Sequence, residues 1–596
     1  MGTHCVVRLM TSTRLSPIIS TARQSSSRSG ASNAKLLHIT CTASSKRYKK
    51  RNAGRSSSKI PRHIMLLTPL ALLLPVLGVS TAPSAPIVDL GYAKYQGTVD
   101  ATTGNTLFLG MRYAAPPTGS LRWQPPQRPA TVAGVQQANA QPPSCMTAGS
   151  GTSPTNPFRA QNLTTQAAAA ASEDCLFLNV FTPGVSASPS GRKPVVVWIH
   201  GGGYQAGNAQ PYNGEDLIRE ANGGMVAVAI QYRLGVFGFL PGSKVKAGGA
   251  LNAGLLDQEF ALRWVQEHIT KFGGDPSKVT IWGESAGAGS VLQHVIAHDG
   301  QTTPPLFRAA ITSSSFLPSQ YNFNDPIPEA LYDEVVSQTS CTSSADTLAC
   351  LRGVDVATLQ AANVKISTGA FFGTFIFVPV VDGIFIRQRA TQALRQRKVN
   401  GNALLSVTNT LEGFNFVNQS TASTVQIPDY ISQLFPNFGS PEIRKAAALY
   451  ANLGTPISQA VAIMGEAIFI CPTYFLLRAF GQSFKSAFAI PPSHHGDDIQ
   501  YYFPSSTVSG FPAFNNTAFI GAFSGSFLDF AMSLNPNVKS DPSNITPLWN
   551  IWAAGEVEML FNKTAAGEPV VQPIKTSSAL LQRCAFWESV GALSGQ

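Results

Sequence analysis

Charged residues are scarce in this chain, at 13% of 596 residues, whereas hydrophobic residues make up 44%. A composition this apolar excludes an intrinsically disordered chain and provides for a large folded core. Acidic residues are lacking altogether from residues 1–64, which hold 13 of the 43 Lys and Arg residues. The net charge of +11 therefore belongs to this basic leader, and the rest of the chain is nearly neutral. Without a basic folded body, we expect no nucleic-acid partner.

Motifs for metal ions and cofactors are also missing. The sequence contains no CxxC pair and no cluster of Cys and His at the spacing of a zinc site. No glycine-rich nucleotide-binding loop is present either. We therefore expect no metal and no cofactor. After residue 82 we identify no apolar run long enough for a membrane span, so we expect no stable membrane anchor.

One apolar run lies near the N-terminus, at residues 65–79. A basic flank precedes it, small residues follow it, and it is shorter than the ~20 residues that a membrane span needs. This layout predicts a signal peptide at residues 65–82 and a secreted protein. Residues 1–64 are then either a leader removed with the signal or a mis-assigned start, with Met65 the true first residue. A mitochondrial presequence is the alternative, because such leaders also lack acids and are rich in Ser and Arg.

Cysteine usage agrees with secretion. Of the eight cysteines, two lie in the predicted leader, and the other six form the even number that an oxidising compartment favours. Five Asn-x-Ser/Thr triplets are candidate glycosylation sites, which fits a secretory route. They are Asn162, Asn418, Asn515, Asn544 and Asn562.

Hydrophobic patterning predicts an α/β fold. Residues 194–199 and 225–231 are continuous apolar runs rich in β-branched side chains, which are typical of strands covered on both faces. Residues 256–271 place apolar side chains at helical spacing, and residues 279–282 predict a further short strand. This alternation indicates a mostly parallel central sheet flanked by helices. We interpret residues 83–596 as one large domain with long insertions.

The clearest chemical signal is Gly-Glu-Ser-Ala-Gly at residues 283–287. A serine between two glycines fits a strained turn between a strand and a helix, with its hydroxyl exposed. Here an apolar strand precedes the motif and a helical segment follows it. The helix dipole favours the negative charge that develops during nucleophilic attack. Because the chain has 51 glycines, a glycine-rich turn with an idle serine is the alternative interpretation.

A second motif, His-Gly-Gly-Gly at residues 200–203, directly follows the strand predicted at 194–199. Glycines leave backbone N–H groups unshielded, so the oxyanion of a reacting carbonyl can approach them closely. A flexible glycine turn is the alternative. The serine motif about 80 residues later argues against that alternative.

Taken in order with these motifs, several further segments resemble the type B carboxylesterase and lipase family, which has the α/β-hydrolase fold. EDCLFLNV stands at residues 173–180 and YRLGVFGFL at 232–240. GLLDQEFALRWV stands at 254–265 and FGGDP at 272–276. Matching segments are frequent over roughly residues 86–350 and are scattered from there to the C-terminus.

This resemblance implies functional roles for the residues that match. Ser285 is the expected nucleophile, His495, just before a glycine, the expected base, and Glu412, in a Glu-Gly turn, the expected acid. Their order along the chain is that of α/β-hydrolases. Without the resemblance, Glu412 is equally a solvated turn carboxylate and His495 a loop residue. The oxyanion hole is expected to consist of the backbone N–H groups of Gly202, Gly203 and Ala286.

The resemblance also implies structural roles. Cys145–Cys175 and Cys341–Cys350 are expected to be disulfides, which leaves Cys471 and Cys584 as the remaining pair. Two charged pairs resemble partly buried ion pairs of the family: Arg122 with Glu173, and Arg233 with Asp257.

The implied activity is hydrolysis of a small-molecule carboxylic ester through an acyl-enzyme. In the family, the loop at residues 145–175 forms the rim of the site, and here it has few large apolar side chains and no Trp. A carboxylesterase on soluble or modestly hydrophobic esters is therefore favoured over an interfacial lipase, and choline esters are not expected. A triacylglycerol lipase, a feruloyl-type esterase and a non-catalytic binding member of the family are the alternatives. The sequence sets no oligomeric state.

Overall fold

The computed structural model describes residues 85–157, 171–184, 191–506 and 511–596. They belong to one unit of the chain, residues 80–596. The predicted leader, the predicted signal peptide and the candidate glycosylation site Asn162 lie outside the described residues.

The described strands form two sheets. In chain order they are β1 (Ile87–Asp89), β2 (Lys94–Gln96), β3 (Thr98–Val99), β4 (Thr106–Arg112), β5 (Val135–Gln137), β6 (Phe177–Thr182), β7 (Lys193–Ile199), β8 (Val226–Ile230), β9 (Gly274–Glu284), β10 (Ala309–Ser313), β11 (Ala403–Asn409), β12 (Ser483–Phe488), β13 (Val557–Lys563) and β14 (Pro569–Lys575).

The main sheet has, within the described residues, the order β14-β13-β12-β11-β10-β9-β7-β8-β6-β4-β3. From β13 to β8 the neighbouring strands are parallel. Strand β14 and strands β6, β4 and β3 extend the sheet antiparallel at its two edges. Strands β1, β2 and β5 form a small second sheet. The predicted mostly parallel sheet is confirmed.

Burial on both faces of strand β7 explains its continuous apolar sequence. Its side chains alternate between two hydrophobic cores, with Val195 and Val197 in one and Val196 and Trp198 in the other. Successive side chains of a strand point to opposite faces, so a sheet covered on both faces requires every position to be apolar.

Helices cover both faces of the sheet. They are α1 (Gly214–Glu220), α2 (Gly235–Phe239), α3 (Ser243–Gly248), α4 (Ala253–His268), α5 (Ala286–Ile296), α6 (Pro326–Gln338), α7 (Thr347–Gly353), α8 (Val356–Thr368), α9 (Ala390–Arg395), α10 (Ile427–Leu434), α11 (Ser440–Tyr450), α12 (Pro456–Gly465), α13 (Cys471–Ala479), α14 (Ile499–Tyr502), α15 (Thr517–Ser533), α16 (Ser578–Ser589) and α17 (Gly591–Ser594). Side chains of α4, α5 and α13 belong to one core, and those of α1 and α15 to the other.

Disulfides and ion pairs fasten the insertions to this framework. The three disulfides are Cys145–Cys175, Cys341–Cys350 and Cys471–Cys584, the pairs that the resemblance implies. The two ion pairs are also formed, Arg122–Glu173 at 2.6 Å and Arg233–Asp257 at 2.7 Å; Arg122, Arg233 and Asp257 are buried, and the side chain of Glu173 is 9% exposed. Removing one partner of such a pair leaves an uncompensated buried charge, so these residues belong to the scaffold.

One apolar helix differs from our expectation. A π-helical turn, Glu466–Ile470, joins α12 and α13 into a continuous helix, Pro456–Ala479. Among the described residues, this helix is long and apolar enough to cross a membrane, although the sequence analysis identified no such segment. Within the fold 89% of its most apolar window is buried, as is typical of the central helix of a large core.

The candidate glycosylation sites differ in their exposure. Asn515 is exposed, and Asn418 and Asn562 are partly exposed. Asn544 is only 7% exposed, its amide donates to the carbonyl of Gly521, and its oxygen accepts from the N–H of Thr546. Asn544 is therefore the least accessible of the four candidates among the described residues.

Candidate active site

Five loops meet at one edge of the main sheet. Strands β12, β11, β10, β9 and β7 are neighbours in that order. The loops that follow them carry His495, Glu412, Ser314, Ser285 and the glycines of residues 201–203, respectively. Because the carboxyl ends of parallel strands lie at the same edge, residues far apart in sequence are brought together there.

Ser285 lies on a strained turn between β9 and α5. Its φ of 56° and ψ of −123° are unfavourable for a residue with a Cβ, and such strain is characteristic of functional sites. A Cβ on Gly287 would overlap the carbonyl of Ile199, and one on Gly283 would overlap the backbone of Gly287. The two glycines of the motif are therefore required by the tight packing of this turn.

The glycine loop passes directly beside Ser285. A Cβ on Gly201 would lie 3.0 Å from the Cβ of Ser285. Within the described part of the chain, the N–H groups of Gly202 and Gly203 donate no hydrogen bond. Ala286 is the first residue of α5, so its N–H has no acceptor within the helix. Three unengaged donors beside one serine hydroxyl are suited to stabilising an oxyanion.

Alanine at Gly203 provides a test of this loop. Its Cβ would overlap the ring of Phe375, so the backbone N–H must shift. We expect kcat for p-nitrophenyl acetate to fall about 10²-fold, the typical cost of losing one oxyanion donor. Gly567→Ala is the matched control, because Gly567 also has a positive φ but nothing within 4 Å of a Cβ. Equal activity of the two variants would contradict the role of Gly203.

Glu412 is held by hydrogen bonds on both carboxylate oxygens. Its Oε1 accepts from the hydroxyl of Ser314 and from the N–H of Asn409, both at 2.7 Å. Its Oε2 accepts from Nδ1 of His495 at 2.6 Å. The side chain is 1% exposed. Burial and three hydrogen bonds thus fix the carboxylate in one orientation against the imidazole.

His495 has one ring nitrogen bonded and the other unbonded. Its Nε2 lies 3.2 Å from Oε1 of Glu284, but without hydrogen-bond geometry, and it has no hydrogen-bond partner among the described residues. In particular, no hydrogen bond joins Nε2 to the hydroxyl of Ser285 there. In the absence of substrate such catalytic hydrogen bonds are often long, and they tighten in the complex.

Glu284, which the sequence analysis did not single out, places a second carboxyl group beside the imidazole. Burial, together with the nearby Asp498 and Glu412, raises the pKa of Glu284 to about 8 against the attraction of His495. Glu284 is therefore mostly neutral at pH 7. Burial lowers the pKa of His495, but the charge of Glu284 in its ionised form and the hydrogen bond and charge of Glu412 raise it by more, so its pKa lies above the ordinary value.

Ser314 and Asn409 were also missed by sequence reasoning. Ser314 lies just after β10 and donates to Glu412, and Asn409 ends β11. The amide of Asn409 donates to Asp498 at 3.0 Å, which joins the Glu412 loop to the loop of His495. No motif marks either residue in the sequence. Their only signal is their position at the end of a predicted strand.

Aromatic rings lie beside His495 and beside the glycine loop. The ring centroids of Phe416 and Phe469 lie 5.0 and 4.4 Å from that of His495. Phe316 packs against Phe469 at 5.4 Å and against Phe375 at 5.9 Å. The rings therefore surround the site from the imidazole to the glycine loop, where Phe375 covers Gly203.

An apolar chamber lies behind Phe316 and Phe375. Its volume is about 840 Å³, including its open mouth. Ile327, Leu331 and Ile468 are among its lining residues. Of the described residues, no Asp, Glu, Lys, Arg or His lines it. A cavity of this composition accommodates an uncharged, hydrophobic group.

Possible metal ligands are not clustered among the described residues. No group of three or more His, Cys, Asp and Glu side chains there is placed to hold a metal ion. The chemistry described above involves only side chains and backbone N–H groups.

Comparison with known proteins places the chain and its fold in a family. The model of the carboxylesterase family matches residues 84–565. The crystal structure of EstA from Aspergillus niger is similar, with a TM-score of 0.76 and 31% identity over 86% of this chain and 99% of that one. Lipase 4 of Diutina rugosa is 31% identical over 514 residues, which are 78% of this chain and 90% of the lipase.

A further relative is described as secreted. Secreted lipase 1 of Botryotinia fuckeliana is 39% identical over 323 residues, covering 51% of this chain and 55% of the relative. The match therefore spans about half of that protein's length. The family model, by contrast, covers most of this chain, and the solved structure has the predicted α/β-hydrolase fold. The chain belongs to the carboxylesterase family.

Proposed function

We propose that this protein is a secreted serine esterase that hydrolyses uncharged carboxylic esters with Ser285, His495 and Glu412. The observation that carries the proposal is the 2.6 Å hydrogen bond from Nδ1 of His495 to Glu412. It leaves Nε2 without a hydrogen-bond partner among the described residues, next to the residue that precedes Ser285. This is the arrangement that a general base requires.

The reaction proceeds in two halves. Ser285 Oγ attacks the ester carbonyl carbon while Nε2 of His495 takes its proton. The tetrahedral oxyanion accepts hydrogen bonds from the N–H groups of the glycine loop and of Ala286. His495 then gives the proton to the leaving alcohol, and the acyl group stays on Ser285. Water, deprotonated by His495, attacks the acyl-enzyme, which releases the acid and restores the serine.

The two carboxyl groups beside His495 have different roles in this scheme. Glu412 holds the imidazole in the tautomer with the proton on Nδ1 and stabilises the imidazolium that forms. Glu284 lies on the Nε2 side and is mostly neutral at pH 7, because burial raises its pKa to about 8. A neutral neighbour does not hold the proton on Nε2, so His495 can pass it to the leaving group.

We assign the apolar group of the ester to the chamber, because the chamber adjoins the site at Phe316 and Phe375. Its lining is hydrophobic and, for the described residues, free of charged side chains, which favours esters with an apolar group and disfavours charged ones. A triacylglycerol lipase is the second candidate, favoured by the similarity to Lipase 4. Hydrolysis rates of p-nitrophenyl acetate, octanoate and palmitate, with and without an oil interface, separate the two.

Secretion is part of the proposal. Three disulfides support it, because disulfides persist in oxidising compartments, and the similar protein of Botryotinia fuckeliana is named a secreted lipase. N-terminal sequencing of the protein recovered from the culture medium is the direct measurement. Retention in the cell of all the protein would contradict secretion.

Covalent labelling tests the activity itself. A fluorophosphonate probe reacts with a serine only where a base activates it, so we expect one labelled peptide, containing Ser285. Prior heat denaturation is the control and should remove the labelling. Hydrolysis without labelling of Ser285, or labelling elsewhere, would count against the proposed nucleophile.

The pH dependence follows from the state of His495, which must be neutral to act as a base. Because the hydrogen bond and the negative charge of Glu412 favour the imidazolium and raise the pKa of His495 above the ordinary 6.5, activity should be lost as the pH falls, with a midpoint above 6.5. The measurement is kcat/KM for p-nitrophenyl acetate from about pH 5 to about pH 9 at constant ionic strength. A midpoint below 6.5 would contradict the environment assigned to the imidazole.

A further inference from the structure

Two chain segments form adjoining parts of the chamber wall. One is residues 316–321, which contribute Phe316 and Tyr321, and the other is residues 464–470, which contribute Ile468. The N–H of Leu317 donates to the carbonyl of Ile468 at 2.9 Å, so the segments are in contact. Any change in the spacing of these segments changes the width of the chamber.

The side chain of Gln596 links the two segments by hydrogen bonds. Its side-chain Nε2 donates to the carbonyl of Leu317 at 2.6 Å and to that of Ala467 at 2.9 Å. Both amide hydrogens are thus used, one on each segment. Gln596 is 2% exposed, so water does not compete for these bonds. One amide group therefore links the segment of Phe316 to the π-helical turn of Ile468 and Phe469.

Gln596 is itself held in place. Its N–H donates to the carbonyl of Gly591 at 3.0 Å, and its carbonyl accepts from the hydroxyl of Thr391, on α9, at 2.6 Å. The N–H of Gln320 donates to the carbonyl of the preceding residue, Gly595, at 2.7 Å. Gln596 is therefore anchored to α9, which does not line the chamber. This anchor can hold both wall segments in fixed positions.

The hydrogen bond from Gln596 to Ala467 holds a π-helical turn that contributes side chains to both the chamber and the active site. Such turns are rare and are frequent at functional sites. This one directs Ile468 to the chamber and Phe469 to the imidazole of His495, at 4.4 Å between ring centroids. On its other side Glu466 accepts two hydrogen bonds from Arg583, at 2.7 Å each. The turn is thus fixed by Arg583 at one residue and by Gln596 at the next.

We infer that Gln596 is a positioning residue that sets the width of the chamber and thereby the preference for the length of the apolar group of the ester. This inference rests on the proposed esterase function. Without the amide link, the carbonyls of Leu317 and Ala467 repel each other and seek other donors, which separates the two walls. A wider chamber loses contacts with each methylene of a fitted chain, and such contacts govern discrimination between homologous substrates.

The test compares Gln596→Glu with a matched control. Glutamate has nearly the same size but cannot donate to the two carbonyls. Gln266→Glu removes an equivalent link elsewhere, because the amide of Gln266 donates to the carbonyls of Pro276 and Leu306 at 2.9 Å each. For both variants kcat and KM are measured on p-nitrophenyl acetate, butyrate and octanoate, together with the melting temperature.

We expect the ratio of kcat/KM for octanoate to that for acetate to fall about tenfold in Gln596→Glu, through a higher KM for octanoate. The control should keep the wild-type ratio even if it melts at a lower temperature. Should Gln596→Glu not fold, Thr391→Val removes only the bond to the carbonyl of Gln596 and should shift the ratio in the same direction, whereas Thr391→Ser should retain the wild-type ratio.

The failures of this inference and of the proposed function are distinguishable. An active Gln596→Glu variant with an unchanged ratio, or with equal losses on all three esters, overturns the positioning role alone. A wild-type protein that hydrolyses none of the three esters overturns the proposed function.

Discussion

Replacement of Ser285 by alanine is expected to lower kcat for p-nitrophenyl acetate by about 10⁶-fold, to the background given by binding and the oxyanion donors. The hydroxyl is the proposed nucleophile, and no other serine occupies the strained turn between β9 and α5. Because alanine is smaller than serine and the Ser285 hydroxyl makes no hydrogen bond to His495 among the described residues, the fold should be retained.

Two readouts accompany this measurement. The melting temperature should change little, and labelling by a fluorophosphonate should disappear. Turnover close to that of the wild type in a folded Ser285→Ala protein would falsify the assignment of the nucleophile and would leave only the fold.

The second large effect is expected for Glu412→Gln, with a loss of about 10⁴-fold in kcat, as for the equivalent change in other serine hydrolases. The amide retains the size of the side chain but removes the charge, and its one oxygen cannot accept both from the N–H of Asn409 and from Nδ1 of His495. The imidazole then loses the partner that fixes its tautomer at 2.6 Å. Kinetics of p-nitrophenyl acetate hydrolysis provide the measurement.

Glu284→Gln is the matched variant, because it also alters a buried carboxyl group beside His495. Burial raises the pKa of Glu284 to about 8, so an amide resembles its mostly neutral state at pH 7. The loss should therefore be far smaller than for Glu412→Gln. Equal losses of kcat in the two variants would contradict the proposal that Glu412 acts as a charged partner of His495 and Glu284 as a mostly neutral neighbour.

Much of the sheet was predictable because its signals are local. Strand β7 is apolar at alternate positions on both faces, and the glycine motifs mark turns where a Cβ cannot fit. Helix α4 was predicted at residues 256–271 and is found at Ala253–His268, followed by a short 3-10 turn. Strand β9 was predicted as four residues, but it is found at Gly274–Glu284, because its early residues pair with β7 despite their polar sequence.

The supporting parts of the site could not be predicted, because they depend on distant contacts. Ser314 donates to Glu412 across 98 positions of sequence, and Gln596 donates to Leu317 across 279. Neither contact leaves a pattern in a single sequence. The family resemblance supplied Glu412 and His495, whereas composition and periodicity alone left both as loop residues.

The apolar helix shows that hydropathy alone does not distinguish a buried core helix from a membrane span. Helix Pro456–Ala479 has the length and composition of a membrane span, and only its burial within the fold distinguishes it. Asn544 shows the same limit for short motifs, since its triplet is intact but its side chain is enclosed by hydrogen bonds.

The disulfide between Cys471 and Cys584 bears on how this protein can be produced. Cys471 begins α13, immediately after the π-helical turn, and its partner lies 113 residues later on α16. Closing a loop of that size stabilises a fold by roughly 4–5 kcal/mol in the chain-entropy description, which is a large part of the stability of an ordinary domain. In a host cytosol that keeps thiols reduced, this disulfide does not form and its stabilisation is lost. Recombinant protein should therefore be exported to the bacterial periplasm or to the medium of a eukaryotic host.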